Sequence, residues 1–307
     1  MHKTYHLSEG KIQVWEEEQG TVQVYVNPDE GERRFLIDQL KVDEHTLASS
    51  LDPDEISRLE FEPEHMAIIF KRPKNYSEED QFEFKVSSMG LFWFKDRLVL
   101  ILPEDTNVFE GKPFQKVATL TDLVLKILYR TTFHYLGHLR TINMIADALE
   151  QKINKAMENR YLLNLFSLEK GMVYYQNAIH SNGMVIDKLK NFAQRIGLTP
   201  EHLEALDDIV IENQQCYKQA EIYSNIFASL MDARASIVNN NLNVLIKTLN
   251  IITIAIMVPT FVVSMFSMNV KIPLAGLPYA FWIIMGISAI ALAGFMLVWR
   301  LFGGRGR

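Results

Sequence analysis

Stepping alternately three and four residues from Asn243 picks out Asn243, Ile246, Asn250, Thr253, Met257, Thr260, Ser264 and Ser267. Six of these eight are polar, on a stretch whose other positions hold Ile251, Ile252, Ile254, Ile256, Phe261, Val262 and Val263. A 3.5-residue repeat on a helix forms one nearly straight seam. Amide and hydroxyl groups are expensive against lipid, so such a seam faces either water or a partner helix. The chemistry it offers is a lined path for water or a hydrated ion. Small and hydroxyl residues also draw membrane helices together, which is the competing reading. The length of the seam, and the lack of a matching one on the following apolar stretch, favour the path. Two spans per chain cannot enclose a pore, so this reading requires a symmetric oligomer with the seam innermost.

Other residues offer weaker chemistry. Continued towards the N-terminus, the seam passes Asp232 and Asp208. Symmetry would turn each into a ring of carboxylates, although both also suit an ordinary charged surface. The acidic run Ser77-Glu78-Glu79-Asp80 has the oxygen ligands that a hard cation such as Mg²⁺ takes, or it is a solvated loop. His134 and His138 share a helix face at i,i+4, a spacing that serves metal ligation but more often packing. No glycine-rich phosphate loop, CxxC pair or Ser/His/Asp arrangement is present. Neither an enzyme nor a catalytic cofactor is expected.

The elements that position these residues follow from charge and periodicity. Residues 248–307 contain no Asp or Glu and only Lys271, Arg300, Arg305 and Arg307 as bases. Removing those four from the 31 Lys+Arg leaves 27 against 37 Asp+Glu, a formal charge of −10 on residues 1–247. A body that acidic is not expected to bind nucleic acid. Uncharged stretches at 248–270 and 272–299 each exceed the roughly 20 residues needed to cross a bilayer. Pro273, Gly276 and Pro278 break the helix between them. The result is a membrane hairpin with its basic tail, and therefore the N-terminal body, in the cytoplasm by the positive-inside rule. The polar opening MHKTYHLSEG has no apolar core of a signal peptide. A single Cys216 excludes an internal disulfide framework.

Within the body, KIQVWEEE, TVQVYVN, HMAIIFKRP, QFEFKVSSMGLFWFK and RLVLILPE read as strands. DEHTLASSL and DPDEISRLE read as short capped helices. From Thr121 the period changes to 3.6, with Gly171 and 181–183 as the only soft points in two long helices. No proline interrupts residues 201–258, so one helix is expected from about 200 to about 268, roughly 100 Å long at 1.5 Å per residue. Pro259 should kink it or free a carbonyl on the seam side. The predicted organisation is an α+β cytoplasmic domain at 1–118, stalk helices at 119–199, and the cytoplasmic part of the long helix at 200–247. A first span at 248–269, an outer loop at 270–277, a second span at 278–299 and a basic tail at 300–307 complete it.

The segment PTFVVSMFSMN (259–269), a short loop, and a second span opening with PYAFW (278–282) resemble the CorA family of metal-ion transporters. So do LDPDEISRLEFEPEHMAIIFKRPK (51–74) and FSLEKGMVYYQNAI (166–179) upstream. The resemblance implies a homopentamer in the plasma or inner membrane, with both termini cytoplasmic and five first spans around the pore. It implies Mg²⁺ as the substrate, and a divalent cation bound between subunits as a possible regulator that holds the funnel closed. The family's Gly-Met-Asn selectivity motif falls on Ser267, Met268 and Asn269. Leu249 and Met257 fall on hydrophobic constrictions, Asn243 or Asn250 on a polar ring, and Asp208 near the regulatory-metal position, with 78–80 as a partner. Two departures stand out. Serine replaces the motif glycine, which should cost backbone freedom, and Lys271 at the outer mouth should repel divalent cations. Changed selectivity, as in a ZntB-like zinc carrier or an anion-permeable pore, is therefore the first alternative, and a non-conducting membrane sensor the second.

Overall fold

A computed structural model describes the chain except residues 9, 16–19, 76–82, 156–158, 271, 272, 274, 275 and 304–307. It divides into two compact units, Met1–Met231 and Asp232–Arg307. The first is built on a seven-stranded sheet of β1 (His2–Ser8), β2 (Lys11–Trp15), β3 (Val22–Val26), β4 (Arg58–Phe61), β5 (His65–Pro73), β6 (Val86–Phe94) and β7 (Leu98–Leu102). Their order is β2-β1-β3-β7-β6-β5-β4, and the one parallel pair is β3–β7, in register Val22↔Leu98 to Val26↔Leu102.

Every residue of β3 and β7 is buried, because both faces of the sheet are covered. Val22, Val24, Val26, Leu98, Leu100 and Leu102 point to a core shared with Leu123, Ile127, Ile186 and Leu206 of the long helices. Tyr25, Val99 and Ile101 point the other way, to Leu36 and Leu47 of α1 (Glu30–Asp38) and α2 (Glu44–Ser49). Each short helix starts at an aspartate whose carboxylate accepts from a backbone N–H of the first turn: Asp29 from Glu32, Asp43 from Thr46.

The long helices are α3 (Leu120–Lys155), α4 (Asn159–Asn191) and α6 (Pro200–Met265), with one-turn α5 (Ala193–Ile196) between the last two. Away from the sheet they share a second core of Tyr135, Leu139, Ile142, Met172, Tyr175, Ile179, Cys216 and Phe227. The Cys216 thiol is buried there and pushed up to about 12 by desolvation. Thr119 and Asp122 cap each other's backbone N–H at the start of α3, and Asp122 also pairs with His202 at 3.1 Å. That contact ties the first turns of α3 and α6 together.

Two expectations need correction, and one strand is not assigned from the sequence. DPDEISRLE is not a helix: residues 52–57 turn, and Arg58–Phe61 form the edge strand β4, held by Arg58↔Ile69 to Phe61↔Met66. The unassigned strand is the polar opening of the chain, which forms β1, paired on both sides. Neither Gly171 nor 181–183 softens α4. A Cβ on Gly171 would sit 3.1 Å from the Phe84 carbonyl oxygen, and one on Gly183 would sit 2.9 Å from the Asn213 amide. Both glycines are there for close approach, not for flexibility.

In the second unit, α6 continues to Met265, and α7 runs from Ala280 to Gly303. Both helices are long and apolar enough to cross a membrane.

Candidate functional site

The seam occupies the uncovered side of α6. In the first unit the helix buries Leu206, Ile209, Asn213, Cys216, Ala220 and Phe227. The seam residues Asp208, Ile211, Gln215, Lys218, Ile222 and Ser229 lie two positions further on, about 200° around a 3.6-residue helix. In the second unit Ile251, Ala255, Val258, Pro259, Val262 and Phe266 are half-buried. They match the covered face of α7, which carries half-buried Ile284, Leu292, Phe295 and Trp299 and buried Ser288, and Lys247 lies 5.7 Å from the Trp299 ring centroid. Asn243, Ile246, Leu249, Asn250, Thr253, Met257, Thr260 and Ser264 are all exposed. They point roughly opposite to the α7-facing side.

Hydrogen bonding along this face is local. Thr253 donates to the Leu249 carbonyl at 2.9 Å and Thr260 to that of Ile256 at 2.8 Å. Each hydroxyl oxygen keeps its acceptor capacity for water or a cation's hydration shell. Pro259 has no N–H, so the carbonyl without its helical partner is that of Ala255. Ala255 and Pro259 are both on the half-buried side, so the carbonyl is freed towards α7 and not on the seam side as expected.

Ser267, Met268 and Asn269 follow the last turn of α6 and are exposed. Ser267 donates through its hydroxyl to the Val263 carbonyl at 3.0 Å and through its N–H to that of Ser264 at 3.1 Å. Carbonyls at a helix C-terminus otherwise lack partners. Non-glycine residues with positive φ are Asn27 and Lys41 among the described residues, so Ser267 sits in ordinary backbone space. The backbone cost expected of a serine here does not arise. Lys271 lies outside the described residues.

The metal candidates separate. Asp208 is exposed at the rim of a pocket of about 250 Å³ shared with Asp122, Glu201 and His202. Asp232 is exposed on the second unit, and Glu78, Glu79 and Asp80 lie outside the described residues. Among the described residues no three His, Cys, Asp or Glu side chains gather around a common point. His134 and His138 are packed, with ring centroids 4.5 Å apart, and His138 Nδ1 lies 2.7 Å from the Tyr175 hydroxyl. Burial first, and the neighbouring positive charges for His134, push both down to about 4.

A pH dependence follows. Both imidazoles are neutral in the fold, while the unfolded chain takes up protons below its ordinary value of about 6.5. Stability is therefore expected to fall as pH drops from 6.5 towards 4. Thermal unfolding of the full chain should show this, with a shallower slope in His138→Leu. An equal slope in that variant would contradict the assignment.

A family model described as CorA-like Mg²⁺ transporter protein matches residues 24–300. The cobalt/magnesium transport protein CorA of Methanocaldococcus jannaschii is 25% identical over 288 residues, covering 90% of this chain and 89% of that one. The complete structure of the CorA magnesium transporter from the same organism superposes with a TM-score of 0.80 at 22% identity, over 97% of this chain and 96% of that one. The full-length CmaX protein does so with a TM-score of 0.73 at 13% identity, again over 97% and 96%.

Proposed function

This chain belongs to the CorA-like Mg²⁺ transporter family, and on that premise we propose a homopentamer whose five α6 helices line a path for Mg²⁺. At the coarser level it is a divalent-cation transporter with two apolar helices of membrane-spanning length. The observation that carries the finer reading is the uncovered seam. A polar face turned away from both the soluble core and α7 is costly in lipid unless it meets water or its own copies. Asn243 and Asn250 would form polar rings, Leu249 and Met257 apolar constrictions, and Asn269 a ring of amide carbonyls at the outer mouth. Mg²⁺ dehydrates reluctantly, so amide oxygens that bond to its water shell suit it better than a tight cage of ligands.

The basic tail and uncharged first span support cytoplasmic termini in the cell membrane. Gating would come from cytoplasmic Mg²⁺ held between subunits by Asp208 or Asp232 and by Glu78, Glu79 or Asp80, which stabilises the closed state. The domain limits above fit that division into sensor, stalk and hairpin. The lack of any carboxylate in 248–307, together with Lys271, favours the alternative of changed selectivity, towards zinc or an anion.

Cysteine accessibility tests the wet seam against a packed, non-conducting sensor. Cys216 is buried and stays protonated, so the native chain should be silent to water-soluble thiol reagents. Cysteine at Asn250 or Thr260 should react at least about tenfold faster than cysteine at Ile251 or Val262, because reaction needs water at the thiol. Equal, slow reaction at all four positions would favour the packed sensor.

A further inference from the structure

A pocket of about 410 Å³ opens in the first unit between one face of α3, the end of β5 and the loop after β7. That volume falls in the range of small-molecule sites. Its walls include Arg72, Arg130, His134 and Asn75, with Met89 and Ile127 as an apolar side. Asp105 and Glu110 are also on its wall, and Glu104 lies beside it; Asp105 and Glu104 are paired with cations, whereas Glu110 meets a neutral amide. Glu104 takes Arg72 at 2.8 Å and Lys74 at 3.1 Å, Asp105 takes Lys3 at 2.6 Å, and Glu110 accepts from Asn107 at 2.5 Å.

Lys3, Arg72, Lys74 and Arg130 set against Glu104, Asp105 and Glu110 leave one positive charge over. Arg130 has no carboxylate partner among the described residues. Arg72 is only 6% exposed, and its Nε makes no hydrogen bond. His134 sits beside them at the pocket wall, half-buried, and its imidazole is held neutral by burial and by the positive charges of Arg130 and Arg72. An uncompensated guanidinium beside a second, buried one, in a cavity with one apolar wall, is chemistry for a bidentate oxyanion on a small organic body.

We infer that this pocket binds a small organic anion carrying phosphate or carboxylate groups, with Arg130 as the principal contact and Arg72 and His134 completing the cradle. Binding there is independent of what the membrane helices carry.

Calorimetric titration of the full chain in detergent, free of divalent metal, with pyrophosphate and with citrate separately, tests it. At least one probe should saturate at one per protomer, and which one does so tells phosphate from carboxylate recognition. Arg130→Gln should weaken that binding at least about tenfold, and Arg130→Lys less, since lysine keeps the charge but not the planar fork. Arg130 is partly exposed, and an unchanged unfolding temperature would show that the variants fold. Absence of saturable heat with both probes, or Arg130→Gln binding as tightly as the parent, would overturn the assignment.

Discussion

Replacing Asn269 with alanine is expected to lower Mg²⁺ entry at least about tenfold, while Ser267→Gly changes it by no more than about twofold. Hydrogen bonds to a charged species are worth about 1.5–3 kcal/mol each, and 1.4 kcal/mol is a factor of ten. In the proposed pentamer five amide carbonyls would be lost at once, so the change could not be absorbed at a single contact. Ser267, by contrast, has ordinary backbone angles and spends its hydroxyl on the Val263 carbonyl. Glycine there would forfeit one exposed local bond and leave the turn intact. Initial rates of Mg²⁺ uptake into liposomes at matched protein density would measure both. A slow Ser267→Gly beside a normal Asn269→Ala would reverse the roles given to the two residues.

The second large effect concerns the body of the protein. Asn182→Ala is expected to destabilise the first unit by about 2–5 kcal/mol, because it leaves two buried backbone groups unsatisfied at roughly 1–3 kcal/mol each. Strand β4 pairs with β5 only as far as Arg58↔Ile69, two residues short of Lys71. Beyond that point the Asn182 side chain acts as the missing neighbour. It accepts from the Lys71 N–H at 2.9 Å and donates to the Lys71 carbonyl at 2.7 Å. Its oxygen also accepts from Ser57 at 2.8 Å. The Lys71 ammonium, pushed down to about 8 by burial, is held in the same region by the Asp52 and Pro53 carbonyls and the Ser88 hydroxyl. Denaturant unfolding of the full chain, set against the exposed control Asn177→Ala on the same helix, reads the difference. A shift below about 0.5 kcal/mol, the scatter of surface changes, would mean that α4 docks without this amide.

Asn182 also shows where sequence reading stopped. Ser181, Asn182 and Gly183 look like a break, since asparagine and glycine are poor helix formers. Here tertiary contacts outweigh propensity, for the asparagine completes a sheet edge and the glycine admits Asn213 from α6. Nothing local announces a partner 111 residues away. Strand β1 was hidden for a related reason: HKTYHLS has little apolar alternation, and its pairing with β2 and β3 defines it. The buried strands β3 and β7, and the uninterrupted α6, were legible because long apolar runs and the absence of proline are local facts. The seam was legible too, as a periodicity. Its position opposite α7 was not, because that depends on which face of α6 the second helix covers.

Flux through the purified full chain in liposomes, with Mg²⁺, Co²⁺, Zn²⁺ and Cl⁻ presented separately, tests the proposed ion path most directly. The expected result is saturable Mg²⁺ entry, competed by Co²⁺, with no chloride current. Chloride flux, or Zn²⁺ entry without Mg²⁺, would contradict it.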